Sequence, residues 1–475
     1  MILNVTRATQ RLPIALLVSS TILIAADWPR FRGPNGSGVD AFSSGLPVEF
    51  GPSAGVAWKA AVPFGRSSPI VAGDRVFLTA TERDRLVTMC FDARSGRLLW
   101  RRELKPERTH KVFRANDPAS PTPAADDGNV YVFFPDFGLI SYTFSGSERW
   151  RHPLGPFDNY YGMAASPIVA GDFVILSCDQ TKGSYLLALD RANGRRRWNA
   201  ARPDATIGFS VPIVYSPQSD QNQLILLGSN RLDSYYLATG ERRWWLPVAT
   251  EGSMGSPVIH KDALLIYAAG HDQPWMETFE ATLAKYDRDK DGRVSQEEFR
   301  ADKDWYEHFG WIDANRDGFL QAPEWTAARS FGMGDYGILS IQPSAASGQL
   351  PADAVRWRFK RNLPYVPAPV LYNNVYFMVR KGGIVTSLDP ATGTLRKQGR
   401  TDKALGEYWA SPVAADGKVF LLSEEGKLTV LKAAPDWEVL AVNDLGDEAF
   451  ATPAISNGRI FVRTRSTLYC FTAKP

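Results

Sequence analysis

Residues 90–100 read CFDARSGRLLW, and residues 188–198 read ALDRANGRRRW. In both stretches an acidic residue leads into a turn that contains glycine, and a tryptophan stands four residues after that glycine. Shorter forms of the same phrase end at Trp150 and at Trp244. Glycine permits the positive φ of a tight hairpin turn, and the indole that follows can begin an outer strand and pack between repeats. The phrase therefore predicts a repeated antiparallel sheet.

A second phrase sets the number of repeats. A small or apolar residue, a proline and a few apolar residues precede a polar turn and an apolar strand at eight places: Pro69, Pro121, Pro167, Pro212, Pro257, Pro369, Pro412 and Pro453. The usual spacing of about 45 residues is typical of a propeller blade with four antiparallel strands. One interval, after Pro257, is longer by about 67 residues, which indicates an insertion. We predict an all-β fold, an eight-bladed β-propeller with a small inserted α-helical module.

The two ends of the repeat region are expected to pair. Residues 55–62, GVAWKAAV, have the pattern of an outermost strand, whereas the last repeat ends near Phe471 after three strands. Their pairing would complete the eighth blade and remove free sheet edges. The leader at residues 28–39, WPRFRGPNGSGV, carries no recognisable chemistry. The expected divisions are a signal peptide at 1–26, leader and first blades at 27–270, the insert at 271–334 and the remaining blades at 335–475.

The repeat resembles the pyrroloquinoline-quinone-like propeller repeat, whose pattern is Ala-x-Asp-x-x-Thr-Gly-x-x-x-Trp. Residues 90–100 and 188–198 follow that pattern closely, whereas Lys397 replaces the tryptophan in a later repeat. The repeat is found in quinoprotein dehydrogenases and in the periplasmic propeller of the outer-membrane assembly machinery. The resemblance implies the fold, together with two functions: a binding or assembly scaffold, or an oxidation that depends on pyrroloquinoline quinone (PQQ).

The insert carries two metal-binding motifs. Residues 287–298 read DRDKDGRVSQEE and residues 313–324 read DANRDGFLQAPE, and both satisfy the twelve-residue EF-hand loop. Calcium takes about six to eight oxygen ligands, which the loop supplies from positions 1, 3, 5, 7, 9 and 12, position 7 through its backbone carbonyl. The predicted ligands of two calcium ions are Asp287, Asp289, Asp291, Arg293, Ser295, Glu298, Asp313, Asn315, Asp317, Phe319, Gln321 and Glu324. The first loop offers four acidic ligands and the second three, so we expect the first to bind more tightly.

A ring of side chains is expected at one mouth of the channel. Rotational symmetry gathers residues just before the repeated prolines on one face, and the insert should overhang that same face. The candidates are Arg66, Phe209, Met254, Tyr365, Tyr408, Trp409 and Phe450. The sequence predicts that this ring binds a protein or small-molecule ligand, and packing at the blade junctions is the alternative.

Composition excludes several functional classes. The net charge of +3 is small and the basic residues are scattered, so no nucleic-acid partner is predicted. The three cysteines, Cys90, Cys178 and Cys470, lie far apart and are expected to be buried and unpaired. Quinone dehydrogenases usually carry adjacent cysteines near the cofactor, and no such pair occurs here, so PQQ is less favoured than calcium as a cofactor. The Gly-x-Ser-x-Gly elbow of hydrolases is also absent from the sequence.

The N-terminus has the pattern of an export signal. Arg7 and Arg11 precede an apolar stretch that ends in Ala25-Ala26 before Asp27. That stretch is shorter than the about 20 apolar residues of a membrane-spanning helix, so we expect cleavage after Ala26. An uncleaved anchor is the alternative. The sequence as a whole predicts a calcium-binding propeller that is exported to the periplasm or beyond, without a stable membrane anchor after cleavage, and serves as a binding or assembly scaffold.

Overall fold

The computed structural model describes residues 27–106, 108–109, 112, 116–203, 205–218, 220–250, 254–343 and 347–473. The predicted signal peptide lies outside these residues. The described chain forms eight four-stranded antiparallel blades around a channel, so the predicted propeller is confirmed. From the channel outward, the strands of blades one to four are Ile70–Ala72, Arg75–Glu82, Arg85–Asp92 and Leu98–Leu104; Ala124–Ala125, Asn129–Phe134, Gly138–Thr143 and Glu148–Pro153; Ile168–Ala170, Phe173–Cys178, Tyr185–Asp190 and Arg196–Ala201; Ile213–Tyr215, Gln223–Gly228, Arg231–Tyr236 and Arg242–Pro247.

The last four blades follow the same plan, and the N-terminal strand closes the ring. In the same order, their strands are Val258–His260, Ala263–Ala268, Gly337–Ile341 and Val355–Phe359; Val370–Tyr372, Val375–Arg380, Ile384–Leu388 and Leu395–Arg400; Val413–Ala415, Lys418–Leu422, Lys427–Lys432 and Val439–Asp444; Ala454–Ser456, Arg459–Arg463, Thr467–Phe471 and Val56–Ala61. The pairing of Val56–Ala61 with Thr467–Phe471 confirms the predicted closure. The short strand Gly348–Gln349 adds to blade four in parallel.

The tryptophans lock each blade to the next one. A Cβ placed on Gly96 would lie 2.4 Å from the ring of Trp58, and one on Gly194 would lie 2.6 Å from the ring of Trp150. The Trp58 indole also donates a hydrogen bond of 3.0 Å to the carbonyl of Ala93. Each of these turn glycines therefore receives the indole of the preceding blade and not the tryptophan that follows it in sequence. This interlock accounts for the recurrence of the motif.

Replacement of Gly194 by alanine should lower the stability of the protein more than replacement of Gly171 by alanine. Both glycines have positive φ, 72° and 55°, so either substitution costs about 1–2 kcal/mol of backbone strain. Gly171 has no neighbour within 4 Å of the added Cβ, whereas Gly194 contacts the Trp150 indole. Overpacking adds about 1–3 kcal/mol. We expect a lower urea midpoint for Gly194→Ala than for Gly171→Ala, and equal midpoints would contradict the interlock.

The leader crosses the channel and closes it. Trp28 exchanges two backbone hydrogen bonds with Val71 of blade one, and Val39 bridges Ala414 of blade seven. Between these points, the buried guanidinium of Arg32 donates to two backbone carbonyls just before blade six, at 2.5 and 2.6 Å. A segment to which the sequence assigned no role thus forms a plug in the centre of the propeller.

The insert leaves blade five between its second and third strands. It contains the helices α1 (Phe279–Tyr286), α2 (Lys303–Ile312) and α3 (Ala322–Ser330) and the paired strands Val294–Ser295 and Phe319–Leu320. The predicted pair of EF-hands would have four helices, whereas the insert has three. In place of the helix that would leave the first loop, the chain forms only a 3-10 turn, Gln296–Phe299. Two further 3-10 turns lie at Pro34–Gly36 and Ala352–Ala354. None of the helices in the described ranges is long and apolar enough to cross a membrane.

Candidate functional site

A cavity of about 1230 Å³ lies at the mouth of the channel, between the propeller and the insert. Its floor includes Phe31 of the leader, and its walls are formed by the segments that precede the inner strands. Six of the seven predicted ring residues line it: Arg66, Phe209, Met254, Tyr365, Trp409 and Phe450. The propeller symmetry therefore brings together residues that are far apart in sequence.

Tyr408 is the exception among the predicted ring residues. Its side chain is only 3% exposed and packs in the core between blades six and seven. Its hydroxyl donates a hydrogen bond of 2.7 Å to the carbonyl of Ala404, and burial raises the pKa of Tyr408 to about 12. The neighbouring Trp409 points into the cavity instead, and its indole donates to the carboxylate of Glu424 at 2.8 Å. Tyr408 is therefore a packing residue at a blade junction, the alternative to a ligand-binding residue.

Helix α2 supplies cavity residues that the sequence analysis did not select. Asp304, Glu307, His308 and Trp311 all line the cavity, and their spacing places them on one face of α2. The opposite face carries Phe309 and Ile312, which are buried in the core of the insert. A search for i, i+3, i+4, i+7 spacing among polar residues could have identified this face. The roof of the cavity is therefore the helix that joins the two acidic loops.

Charged side chains in the cavity wall are engaged by neighbours. Arg66 lies 3.9 Å from Asp117 and 4.2 Å from the ring centroid of Phe450. Burial lowers the pKa of Arg66 and raises the pKa of Asp117, although the attraction between them opposes both shifts. Lys381 forms an ion pair with Glu407. Arg380 donates to the neutral side chain of Asn362 at 3.2 Å. The wall therefore combines aromatic rings with charges that are mostly paired.

Ion pairs fix the stem of the insert to blade five. Asp335 forms two contacts of 2.6 Å with Arg358 on the outermost strand of that blade. Asp272, at the other end of the insert, lies 2.8 Å from Lys360. Because both ends of the insert are held to the same strand and the residue after it, the stem has a defined position beside the mouth.

The far side of the insert is held to the connection between blades two and three. Arg316, in the second acidic loop, forms an ion pair with Asp158. The hydroxyl of Tyr160 donates to the backbone carbonyl of Glu307 in α2. The insert thus reaches across the mouth from blade five and contacts the propeller again on the other side.

The first acidic loop, residues 287–298, gathers oxygen atoms. One carboxylate oxygen from each of Asp287, Asp289 and Asp291 lies within 4.8 Å of the others. Gly292 has a φ of 80°, and its backbone N–H donates a hydrogen bond of 3.0 Å to the carboxylate of Asp287. Glu298 closes the loop by accepting backbone hydrogen bonds from Arg288 and Ser295, each of 2.8 Å. The carboxylates therefore face a common centre.

The second loop, residues 313–324, repeats this geometry. Gly318, with a φ of 85°, donates to Asp313 at 3.1 Å, and Glu324 accepts the amides of Asn315 and Gln321 at 3.2 and 3.3 Å. Asp313 is only 7% exposed, and its Oδ1 atom has no hydrogen-bond partner among the described residues. A buried carboxylate oxygen without a donor is costly unless a cation or proton satisfies it. The donor set fits a hard cation.

The remaining predicted ligands lie in the same two loops. Asp317 accepts hydrogen bonds from the side-chain amides of Asn315 and Gln321, at 3.1 and 3.2 Å. Arg293 and Phe319 are predicted to contribute only their carbonyls, and their side chains pack on each other with the guanidinium 3.8 Å from the ring centroid. The residues at position 8 of the two loops, Val294 and Leu320, pair as neighbouring strands. The two loops therefore form one paired unit.

Comparison with known proteins identifies relatives of the fold. The sequence profile of the family described as outer membrane protein assembly factor BamB matches residues 51–160, 83–304 and 344–474. No curated protein matches the chain significantly. BamB from Moraxella catarrhalis is 12% identical, with a TM-score of 0.54 over 88% of this chain and 98% of that one.

Two dehydrogenases share the architecture. The quinohemoprotein alcohol dehydrogenase from Comamonas testosteroni is 12% identical, with a TM-score of 0.58 over 94% of this chain and 80% of that one. A europium-containing methanol dehydrogenase is 13% identical, with a TM-score of 0.54 over 94% of this chain and 98% of that one. At such identities the likeness concerns the fold alone.

Proposed function

The chain belongs to the family of the outer membrane protein assembly factor BamB, and on that premise we propose that it is an exported, calcium-binding propeller that acts as a binding or assembly scaffold. One observation carries the proposal. Helix α2 lines the aromatic cavity with one face and joins two acidic loops, and in the first of them the carboxylates of Asp287, Asp289 and Asp291 converge. A ligand-sized cavity beside two candidate cation loops supports binding as the function.

Calcium is the cation that the loops fit best. Their ligands are carboxylate, amide, hydroxyl and backbone oxygens, which are the donors that a hard cation takes. The unpartnered Oδ1 of Asp313 supports this assignment in the second loop, since it lies buried among those donors. We propose that both loops act as EF-hand sites and that the insert of residues 271–334 is a calcium module on the propeller.

The scaffold role is favoured over quinone-dependent oxidation. PQQ carries several carboxylates, and two cations of the cavity wall, Arg66 and Lys381, already face Asp117 and Glu407, whereas a third, Arg380, donates to the side chain of Asn362. The three cysteines are buried and distant from one another in sequence, so the adjacent pair of quinone dehydrogenases has no counterpart. The scaffold role accounts for the cavity without that cofactor, and we propose no oxidation step.

Calorimetric titration of the metal-stripped protein with calcium tests the proposal. Two binding events are expected, the tighter one in the first loop, with dissociation constants at or below the about 0.1–1 mM of extracellular modules. Asp287→Ala should remove the first event and Asp313→Ala the second. Magnesium, which demands near-octahedral geometry, should bind more weakly. Absence of heat with calcium would refute the calcium site.

A further inference from the structure

We propose that the cavity beneath the insert is a binding site for a neutral oligosaccharide. The inference rests on the proposed scaffold role and gives the chemical class of its ligand. It follows from three properties of the cavity: the exposure of its aromatic rings, the engagement of most wall charges by neighbouring side chains, and the covering of two inner strand edges by the leader.

Aromatic faces are available on both sides of the mouth. Tyr365 on the propeller is 62% exposed and stands edge-to-face against Trp409, with ring centroids 6.4 Å apart. Trp275 on the insert is 51% exposed, and its other face stacks on Trp305 at 5.6 Å with an angle of 12° between the rings. Large rings held rigidly with one open face offer a flat apolar surface. The C–H faces of sugar rings are flat and apolar as well, and their hydroxyls lie at the ring edge.

The charges of the wall favour a ligand without net charge. Lys381 and Glu407 form an ion pair, and Arg66 faces Asp117. The carboxylate of Glu424 accepts the indole N–H of Trp409, and the guanidinium of Arg380 donates to the neutral side chain of Asn362. A strongly charged ligand would have to compete with these contacts, at a cost in desolvation. A hydroxyl-rich neutral ligand can instead add hydrogen bonds to the outer lone pairs of the same carboxylates. The exposed carboxylates of α2 provide further acceptors on the roof.

A peptide is a less suitable occupant. Peptides that bind propeller-like sheets through their backbone need a free strand edge. The inner edges of blades one and seven are paired with the leader, through Trp28 with Val71 and Val39 with Ala414. At about 1230 Å³, the cavity also exceeds the about 300–1,000 Å³ of ordinary small-molecule sites, which gives room for several sugar rings.

Titration with neutral oligosaccharides tests the inference. The probes are the hexaoses of β-1,4-glucose, α-1,4-glucose and β-1,4-N-acetylglucosamine, added to the calcium-saturated protein while binding heat and tryptophan fluorescence are recorded. At least one probe should bind with saturation. Tyr365→Ala and Trp409→Ala should each weaken that binding at least tenfold, and Tyr365→Phe should retain it, because the ring remains.

The control is Tyr306→Ala, which removes a half-exposed tyrosine of the same insert from outside the cavity lining. It should leave the affinity unchanged. Failure of all three hexaoses to bind at 10 mM, or binding that survives both ring deletions, would overturn the inference. So would binding of an aromatic-rich peptide, tested in parallel, that depends on Tyr365 while no sugar binds.

The two proposals can fail separately in this experiment. Calcium heat without sugar binding would overturn the ligand class and leave the calcium sites intact. Sugar binding that depends on Tyr365 in a protein that gives no calcium heat would refute the calcium sites and support the oligosaccharide site.

Discussion

Calcium at about one hundred times its dissociation constant should stabilise the insert by about 2.7 kcal/mol for each occupied loop, and the double variant Glu298→Gln with Glu324→Gln should lose this stabilisation. Each glutamate closes its loop at position 12, where the metal takes both carboxylate oxygens. An amide offers one oxygen in place of two and carries no charge. The measurement is thermal unfolding of the metal-stripped protein with and without calcium, followed by tryptophan fluorescence.

The fluorescence signal suits this measurement because the core of the insert is rich in indoles. Trp325 is buried against Phe299, with ring centroids 6.4 Å apart, and Trp305 lies 5.0 Å from Trp325. Unfolding of the insert alone would therefore change the emission even if the blades stay folded. The core of the insert is separate from the blade cores, so the insert can unfold while the blades stay folded.

Glu297→Gln is the matched control. Glu297 stands next to Glu298 but turns outward and pairs with Arg300 at 2.8 Å on the surface. Removing one exposed carboxylate there should change stability by less than about 0.5 kcal/mol and leave the calcium response intact. A calcium shift in the double variant as large as in the unaltered protein would contradict the assignment of the loops.

Sequence patterns were sufficient for the blades because each blade repeats the same local physics. The glycine of the turn, the tryptophan and the proline before the inner strand recur at similar spacing in most blades, and the closing strand at Trp58 follows from the strand that the last repeat lacks. Symmetry then placed Arg66, Phe450 and Trp409 around one mouth. These are features that a periodic sequence can specify.

The rest of the site depends on contacts that have no period. Arg32 lies more than three hundred residues from two of the carbonyls it binds, those of Ala368 and Pro369, and nothing in its neighbourhood signals burial of a charge. Tyr408 and Trp409 are neighbours, four and three residues before Pro412, yet the first packs inward and the second lines the cavity. The cavity face of α2 resembles an ordinary solvated helix face until its position over the mouth is known.

Replacement of Arg32 by alanine should destabilise the propeller by about 3 kcal/mol. The guanidinium is fully buried, and although burial lowers the pKa of Arg32 to about 10, it remains charged at pH 7. Hydrogen bonds from a charged donor contribute about 1.5–3 kcal/mol each, and the carbonyls of Ala368 and Pro369 would lose theirs. The variant no longer has to desolvate a buried charge, and this gain offsets part of the cost of the lost hydrogen bonds. Urea unfolding gives the free energy of the change.

The same substitution should also loosen the leader, because Arg32 ties it to blade six across the channel from its contact with blade one. Trypsin should then cut after Arg30 faster than in the unaltered protein, since cleavage requires the segment to leave the channel. Arg196→Ala, at an exposed arginine of blade three, is the control and should alter neither stability nor cleavage. Equal stability and equal cleavage in both variants would mean that Arg32 does not hold the leader in place, and that its other contacts, such as those of Trp28 with Val71 and of Val39 with Ala414, are sufficient.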